Sequence, residues 1–298
     1  FPWSMIDKIT PRPDASVKKM LEDAGFTDTE SIVTSKNTYV APFVNAEEAQ
    51  YLVIENAFPN GRPALENAGV MFTSRETVEK VERMKVCTCL NPLHTALAVY
   101  GCLLGYTKIS DEMKDADLVK LVEIIGYKEG LPVVTDPGIL SPKKFIDEVL
   151  QIRVPNPFMP DTPQRIACDT SQKLSIRFGE TIKEYMASSE LDVKSLKFIP
   201  MVQAGWCRYL LGVDDELNAF TVSPDPMYEE LAGKLAGVKV GESCDVHAVL
   251  SPILSDAKIF GVNLYEAGLG EYVESIFAEL IAGKGAVRET LKRHLAEA

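Results

Sequence analysis

The stretch MKVCTCLNPLHTALAVYGCLLGY, Met84 to Tyr106, constrains the fold more than any other part of the chain. It reads as a buried, mostly apolar helical segment and comes nearest of any run to a membrane span. Lys85, Asn91, Pro92 and His94 interrupt it, so it falls short of the roughly 20 apolar residues that a span needs. The question is why so apolar a segment keeps an amine, a carboxamide and an imidazole.

A helix turns about 100° per residue, so Asn91 and His94, three apart, lie within about 60° of each other on one face. Lys85 precedes His94 by nine residues and would stand about 180° from it on an unbroken helix. Pro92 cannot donate its amide and disfavours α geometry at the residue before it. Asn91-Pro92 also reads as an N-cap followed by a first helical residue. A break, kink or bulge near Asn91 is therefore expected, re-aiming Lys85 toward the other two. The small residues Ala96, Ala98, Gly101 and Gly105 would let the following helix pack closely. Without the distortion, Lys85 would snorkel to solvent, Asn91 would cap and His94 would be a satisfied core histidine. With it, the three groups suit proton transfer: a partly desolvated lysine as general acid/base, an amide to stabilise an alkoxide, an imidazole to orient a hydroxyl.

At 298 residues the chain can bury a sizeable core in one large domain or two modest ones. Its formal net charge of -12 argues against a nucleic-acid or anionic-membrane surface, while leaving room for a locally positive pocket. Six scattered cysteines, several inside apolar helical pattern, suit buried free thiols in a reducing cytoplasm. The opening FPWSMIDKITPRPD lacks an initiator methionine and any basic-then-apolar leader. So greasy a start suggests a fragment or processed chain whose first residues expect a further surface.

Residues 14–25 read as a helix with Asp14 as N-cap and Gly25 as the stop, 37–44 as a strand, 46–58 as a helix, and 68–74 as a short buried strand. Beyond residue 75 the pattern is persistently helical: 75–90, 92–106, 110–128, 141–151, 163–187, 191–212, 226–235, 243–254 and 271–296. The expected class is mainly α, with a division into an α/β arm, 1–75, and a helical domain, 76–298. GLGEYVE, from Gly268, follows no strand and is no dinucleotide fingerprint. Cys87 and Cys89 lack metal-ligand spacing, and no metal is implied. Trp206 and Arg208 read as packing and a helix-end charge, His247 and His294 as surface and tail histidines.

In DTPQRIACDTSQKLSIRF, Arg165, Asp169, Lys173 and Arg177 recur every four residues after the cap-like Thr162-Pro163. On spacing alone this is a solvated row of ion pairs. Its excess of positive charge would equally suit a hydroxyl-rich acid, because a guanidinium can hold a carboxylate bidentately.

Four segments in order carry a family resemblance: FPWSMIDKITP, EAQYLVIENAFPNGRPALENAGVMF, KVCTCLNPLHTALAVYGCLLGY and DTPQRIACDTSQKL. Together they resemble the polyol-specific long-chain dehydrogenases, the mannitol 2-dehydrogenase/fructuronate reductase family, and their spelling is closer to its fructuronate reductase branch. The resemblance runs from residue 1 to about Leu211. It implies a multi-helical substrate-binding domain like the C-terminal domain of 6-phosphogluconate dehydrogenase, with the arm as the tail of a Rossmann domain outside this chain. It also implies reversible NAD(H)-dependent oxidation of a secondary alcohol of an open-chain sugar acid, D-mannonate/D-fructuronate, with mannitol or tagaturonate as alternatives. NAD(H) would be held mainly by that other domain. The roles it implies are proton acceptor for Lys85, oxyanion stabiliser for Asn91 and substrate contact for His94, Asp7, Arg165 and Lys173. One departure stands out: the mannitol dehydrogenase branch places four residues between lysine and asparagine, and here there are five.

Two rival classes make different demands. A non-catalytic helical interaction module would leave Lys85 and His94 pointing apart, with no pocket joining them to Arg165. An isomerase or lyase using Lys85 as a base would need no nicotinamide.

Overall fold

The computed structural model describes residues 1–10, 13–158 and 161–298. Pro11 and Arg12 of the opening motif, and Met159 and Pro160 of the loop 154–163, lie outside the described residues.

The first 75 residues build a small sheet. Strand β1 (Ser4–Asp7) precedes helix α1 (Ala15–Asp23), and a two-residue pairing of β2 (Ile32–Val33) with β3 (Tyr39–Val40) follows. Strand β4 (Tyr51–Glu55) runs antiparallel to β1 and parallel to β5 (Met71–Thr73), giving the order β1-β4-β5. The two-residue period of β1 buries Met5 and Asp7 and exposes Ser4 and Ile6. Met5 and Val53, opposite each other in the register, pack on Val78 and Val81 of α2 (Arg75–Met84). Asp7 is thus carried inward by strand geometry.

Helix α1 forms as expected, with the Asp14 carboxylate accepting from the Ser16 and Val17 amides. The helix expected over 46–58 is instead a loop and β4. Ala46 to Gln50 is helix-favouring, but Tyr51-Leu-Val-Ile is bulky and β-branched, and it finds strand partners on both sides. The strand expected over 37–44 shrinks to Tyr39–Val40.

The helical remainder is organised around α3 (Asn91–Leu103), in which Asn91 and His94 alone are partly exposed and the other eleven residues are buried. Each of its buried leucines removes enough apolar surface to contribute about 1.5–3 kcal/mol. Helix Phe198–Tyr209, buried throughout, packs on α3: the Tyr100 hydroxyl donates to the Met201 carbonyl at 3.2 Å. Gly205 allows the approach, since a Cβ there would stand 3.1 Å from the Tyr100 ring. At Gly101 a Cβ would stand 2.2 Å from the carboxylate of Glu112. Glu112 is fully buried with neither oxygen hydrogen-bonded among the described residues; burial, assisted by Asp115 and Asp161, pushes its carboxyl up to about 9. Gly105, expected as a packing residue, is a turn glycine at φ +78°, with no described atom within 4 Å of where a Cβ would stand.

The run Arg75–Leu103 is long and apolar enough to cross a membrane by length and composition, but 83% of its most apolar window is buried inside the fold. It is a core helix here. Several expected helices are broken. The 163–187 helix becomes Pro163–Ile166, a 3-10 turn Thr170–Gln172, a π segment Ser175–Gly179 and Glu180–Ala187, interrupted where Asp169 adopts a left-handed φ of 53°. The 271–296 helix divides into Gly270–Leu280 and Ala286–Ala296, with Gly285 left-handed between them.

Candidate active site

The expected distortion lies just before Asn91. Lys85–Cys89 is a π segment, in which the Leu90 amide donates to the Lys85 carbonyl five residues back at 3.1 Å. A π turn takes up one residue more than an α turn. Lys85 and His94 are then separated by the angular equivalent of eight helical steps, about 80° in place of about 180°. The fifth residue between Lys85 and Asn91 is accommodated in the same way.

Asn91 does not cap α3. Leu90, at φ −129° and ψ −61°, takes that position without a side-chain bond, and Asn91 and Pro92 open the helix. The Asn91 amide consequently makes no hydrogen bond to any described residue. It lines a cavity of about 300 Å³ together with Lys85, His94, Asp7, Asp161, Arg165, Lys173 and Arg177. All six residues singled out in the sequence therefore share one cavity. An interaction module with Lys85 and His94 turned apart does not have this arrangement.

Beneath Lys85 lies a buried charge network. Lys85 Nζ donates to Asp7 Oδ1 at 2.6 Å. Arg153, 5% exposed, holds both oxygens of Asp7, at 2.7 and 3.0 Å, and both oxygens of Glu47, each at 2.9 Å. Burial alone would raise the Asp7 carboxyl, but the bonds from Arg153 and Lys85 outweigh it and hold it below the ordinary carboxylate value. Asp7, expected to contact substrate, lines the cavity with both of its oxygens bonded to these two cations. Geometry makes it the seat of the lysine.

His94 is half-buried, and its ring makes no hydrogen bond to a described residue. Burial pushes its pKa down to about 4, against the partial opposition of Asp161, so the imidazole is neutral near pH 7 and can both donate and accept. Arg165 stands at the exposed rim, bidentate on Asp161 with both bonds at 2.7 Å. Lys173 Nζ donates to the Cys168 carbonyl, and burial with the neighbouring Arg177 lowers its pKa. The helical stripe expected for Arg165, Asp169, Lys173 and Arg177 does not exist, because the chain breaks at Asp169. The π segment Ser175–Gly179 nevertheless returns Arg177 to the cavity, while Asp169 is left out of its lining.

Arg153 and Glu47 escaped sequence reasoning. Arg153 falls just beyond the expected 141–151 helix, in a π segment, Val149–Arg153, that turns it inward, and Glu47 lies in the segment misread as helix. Their one sequence signal was an arginine and a glutamate next to apolar runs, which is too common to act on. Lys85, Arg153 and Arg177 each sit in a π segment, and such insertions recur at functional sites because they re-aim single side chains. Trp206 is packing, edge-on to Phe260, but Arg208 is fully buried and donates to the carbonyls of Leu280, Val213 and Asp214. His247 and His294 pair with Glu274 and Glu279 away from the cavity. Gly270 offers no phosphate cradle: the Tyr265 ring occupies its surroundings, 2.4 Å from where a Cβ would stand.

The family described as the mannitol dehydrogenase C-terminal domain matches residues 77–276. D-mannonate oxidoreductase of Thermotoga maritima is 60% identical over 296 residues, covering 98% of this chain and 54% of that protein. Polyol:NADP oxidoreductase of Gluconobacter oxydans is 31% identical, covering 79% of this chain and 44% of that protein. Among solved structures, the ternary complex of Pseudomonas fluorescens mannitol 2-dehydrogenase with NAD and D-mannitol matches with a TM-score of 0.75 at 26% identity, over 100% of this chain and 55% of that one. The chain thus spans about half the length of the relatives it matches.

Proposed function

This chain belongs to the mannitol dehydrogenase C-terminal domain family, and on that premise we propose that it is the substrate-binding and catalytic part of an NAD-dependent oxidoreductase acting on an open-chain sugar acid, D-mannonate and its ketone D-fructuronate. The observation that carries this reading is the cavity that unites Lys85, Asn91 and His94 with an excess of positive charge. Of its described lining residues, four are cations (Lys85, Arg165, Lys173, Arg177) and two are carboxylates (Asp7, Asp161), and His94 is neutral. Four minus two leaves two positive charges for a substrate to meet. A carboxylate meets them, and a neutral polyol does not. The high identity to the Thermotoga maritima D-mannonate oxidoreductase supports the same choice.

Reduction of a ketone needs a hydride at carbon and a proton at oxygen. When bound, NADH would supply the hydride, and because the matched relatives are about twice as long as this chain its binding is assigned mainly to a Rossmann domain outside these 298 residues. The chain's own residues handle the oxygen. Lys85, seated on Asp7, gives a proton to the ketone oxygen in reduction and takes it back in alcohol oxidation. The unengaged Asn91 amide donates to that oxygen as charge develops on it. His94, Arg165 and Lys173 hold the hydroxyls and position the chain. Residues 76–298 are assigned to the substrate-binding and catalytic domain and 1–75 to an arm that is the tail of the Rossmann domain. The six unpaired cysteines suit a reducing cytoplasm.

The test is NADH consumption by the intact protein with D-fructuronate, D-tagaturonate and D-fructose. The expected order of kcat/KM is fructuronate first, with fructose lower by at least about 10-fold, the scale of one charge-assisted contact. Equal rates on acid and neutral ketose would refute the substrate class.

A further inference from the structure

The cations of the cavity differ in what they already hold. Lys85 is bonded to Asp7, and Arg165 forms a bidentate pair with Asp161. Arg177 has no carboxylate partner among the described residues. Its Nη1 donates to the Thr95 hydroxyl at 2.6 Å, and Thr95 in turn donates to the Asn91 carbonyl at 2.9 Å. Burial pushes the guanidinium down to about 10, with no acid among the described residues near enough to offset it. None of its nitrogens is sealed from the cavity and left unbonded, so its remaining donors are open. A half-buried arginine kept without a counter-ion is unfavourable unless an anion arrives to meet it.

Its placement also has a length. Thr95 lies four residues beyond Asn91, which at about 1.5 Å per residue puts it about 6 Å along α3 from the residue assigned to the reacting oxygen, with the guanidinium beside it. In an extended carbon chain four bonds span about 5 Å, from about 1.5 Å per bond at tetrahedral angles. That is the separation of ketone carbon and carboxylate carbon in a six-carbon 2-ketouronate.

We propose that Arg177 is the specificity-determining residue that receives the substrate carboxylate, anchored by Thr95 to the same helix that presents Asn91. This deepens the proposed function and rests on it for the identity of the acid. Thr95 fixes one edge of the fork, and the other edge is left to pair with the carboxylate. Lys173 adds a second positive charge nearby.

The test compares wild type with Arg177→Gln and Arg177→Lys in the intact protein. Arg177→Gln keeps a donor for Thr95 and loses the charge. Its ratio of kcat/KM for fructuronate over fructose should fall about 10- to 100-fold, the range of a hydrogen bond to a charged group. Arg177→Lys should recover part of that ratio. Calorimetric titration with D-mannonate and D-mannitol should show the same loss of preference in binding. A purely structural role would lower both substrates together and leave the ratio within twofold, which would overturn the inference while leaving the oxidoreductase reading in place. If wild type turns over no sugar, the functional reading fails. The titration then decides this inference alone, through loss of mannonate preference in Arg177→Gln or its persistence.

Discussion

Replacing Lys85 with alanine in the intact protein is expected to lower kcat for ketone reduction by about 10²- to 10⁴-fold, the usual contribution of a positioned general acid. The fold should survive. Asp7 keeps its two bonds to Arg153 when the lysine is removed, so no buried carboxylate is stranded. The melting temperature should therefore move by only a few degrees, while KM changes much less than kcat. A small primary amine added to the assay should restore part of the rate, because the missing group is a proton donor in an open cavity. Near-normal kcat in Lys85→Ala would remove the lysine from the chemistry.

The largest expected stability effect is at Arg153. Replacement by methionine keeps much of the volume but leaves Asp7 and Glu47 buried without the guanidinium that satisfies both. Breaking one partner out of a buried ion network costs about 3–5 kcal/mol, a large part of an ordinary domain's stability. Denaturant unfolding of wild type and Arg153→Met would measure it, and a difference below about 1 kcal/mol would contradict the network's role. The pH dependence has a definite sign. Asp7 sits below its ordinary value of 3.8, despite the burial that would raise it, because of its bonds to Arg153 and Lys85. Its contribution is complete above about pH 3.8 and is lost as pH falls through the lower folded value. The stability gap between wild type and variant should accordingly be widest near neutrality and narrow in acid. Restoring neutrality with Glu47→Gln on top of Arg153→Met should recover part of the loss.

Much of the site was legible in the sequence because its signals are local. Proline after asparagine marks a backbone irregularity, and a nine-residue spacing on a helix shows that one is needed for Lys85 and His94 to meet. The kind of irregularity was not legible: a π turn is set by the packing on both sides of Lys85–Cys89, and no residue type announces it. The mainly helical class followed from periodicity, but the breaks at Asp169 and Gly285 did not, since tertiary contacts chose left-handed backbone there over continuation of the helix. Strand β4 was lost to the helix-favouring residues before it, and with it went Glu47 and the logic of Arg153. Arg177 was visible as one charge in a row. That it alone among the described arginines of the cavity lacks a described carboxylate partner is a fact of three dimensions.

The most direct measurement follows the hydrogen. Intact protein is given D-fructuronate and NADH deuterated at the transferring position of nicotinamide C4, and the product is read by NMR. Deuterium on the carbon that was the ketone, at one atom per NADH consumed and at a rate that collapses in Lys85→Ala, is the predicted result. Product formed without nicotinamide, with hydrogen drawn from solvent at that carbon, would instead make the lysine the base of an isomerase or lyase and contradict hydride transfer in this cavity.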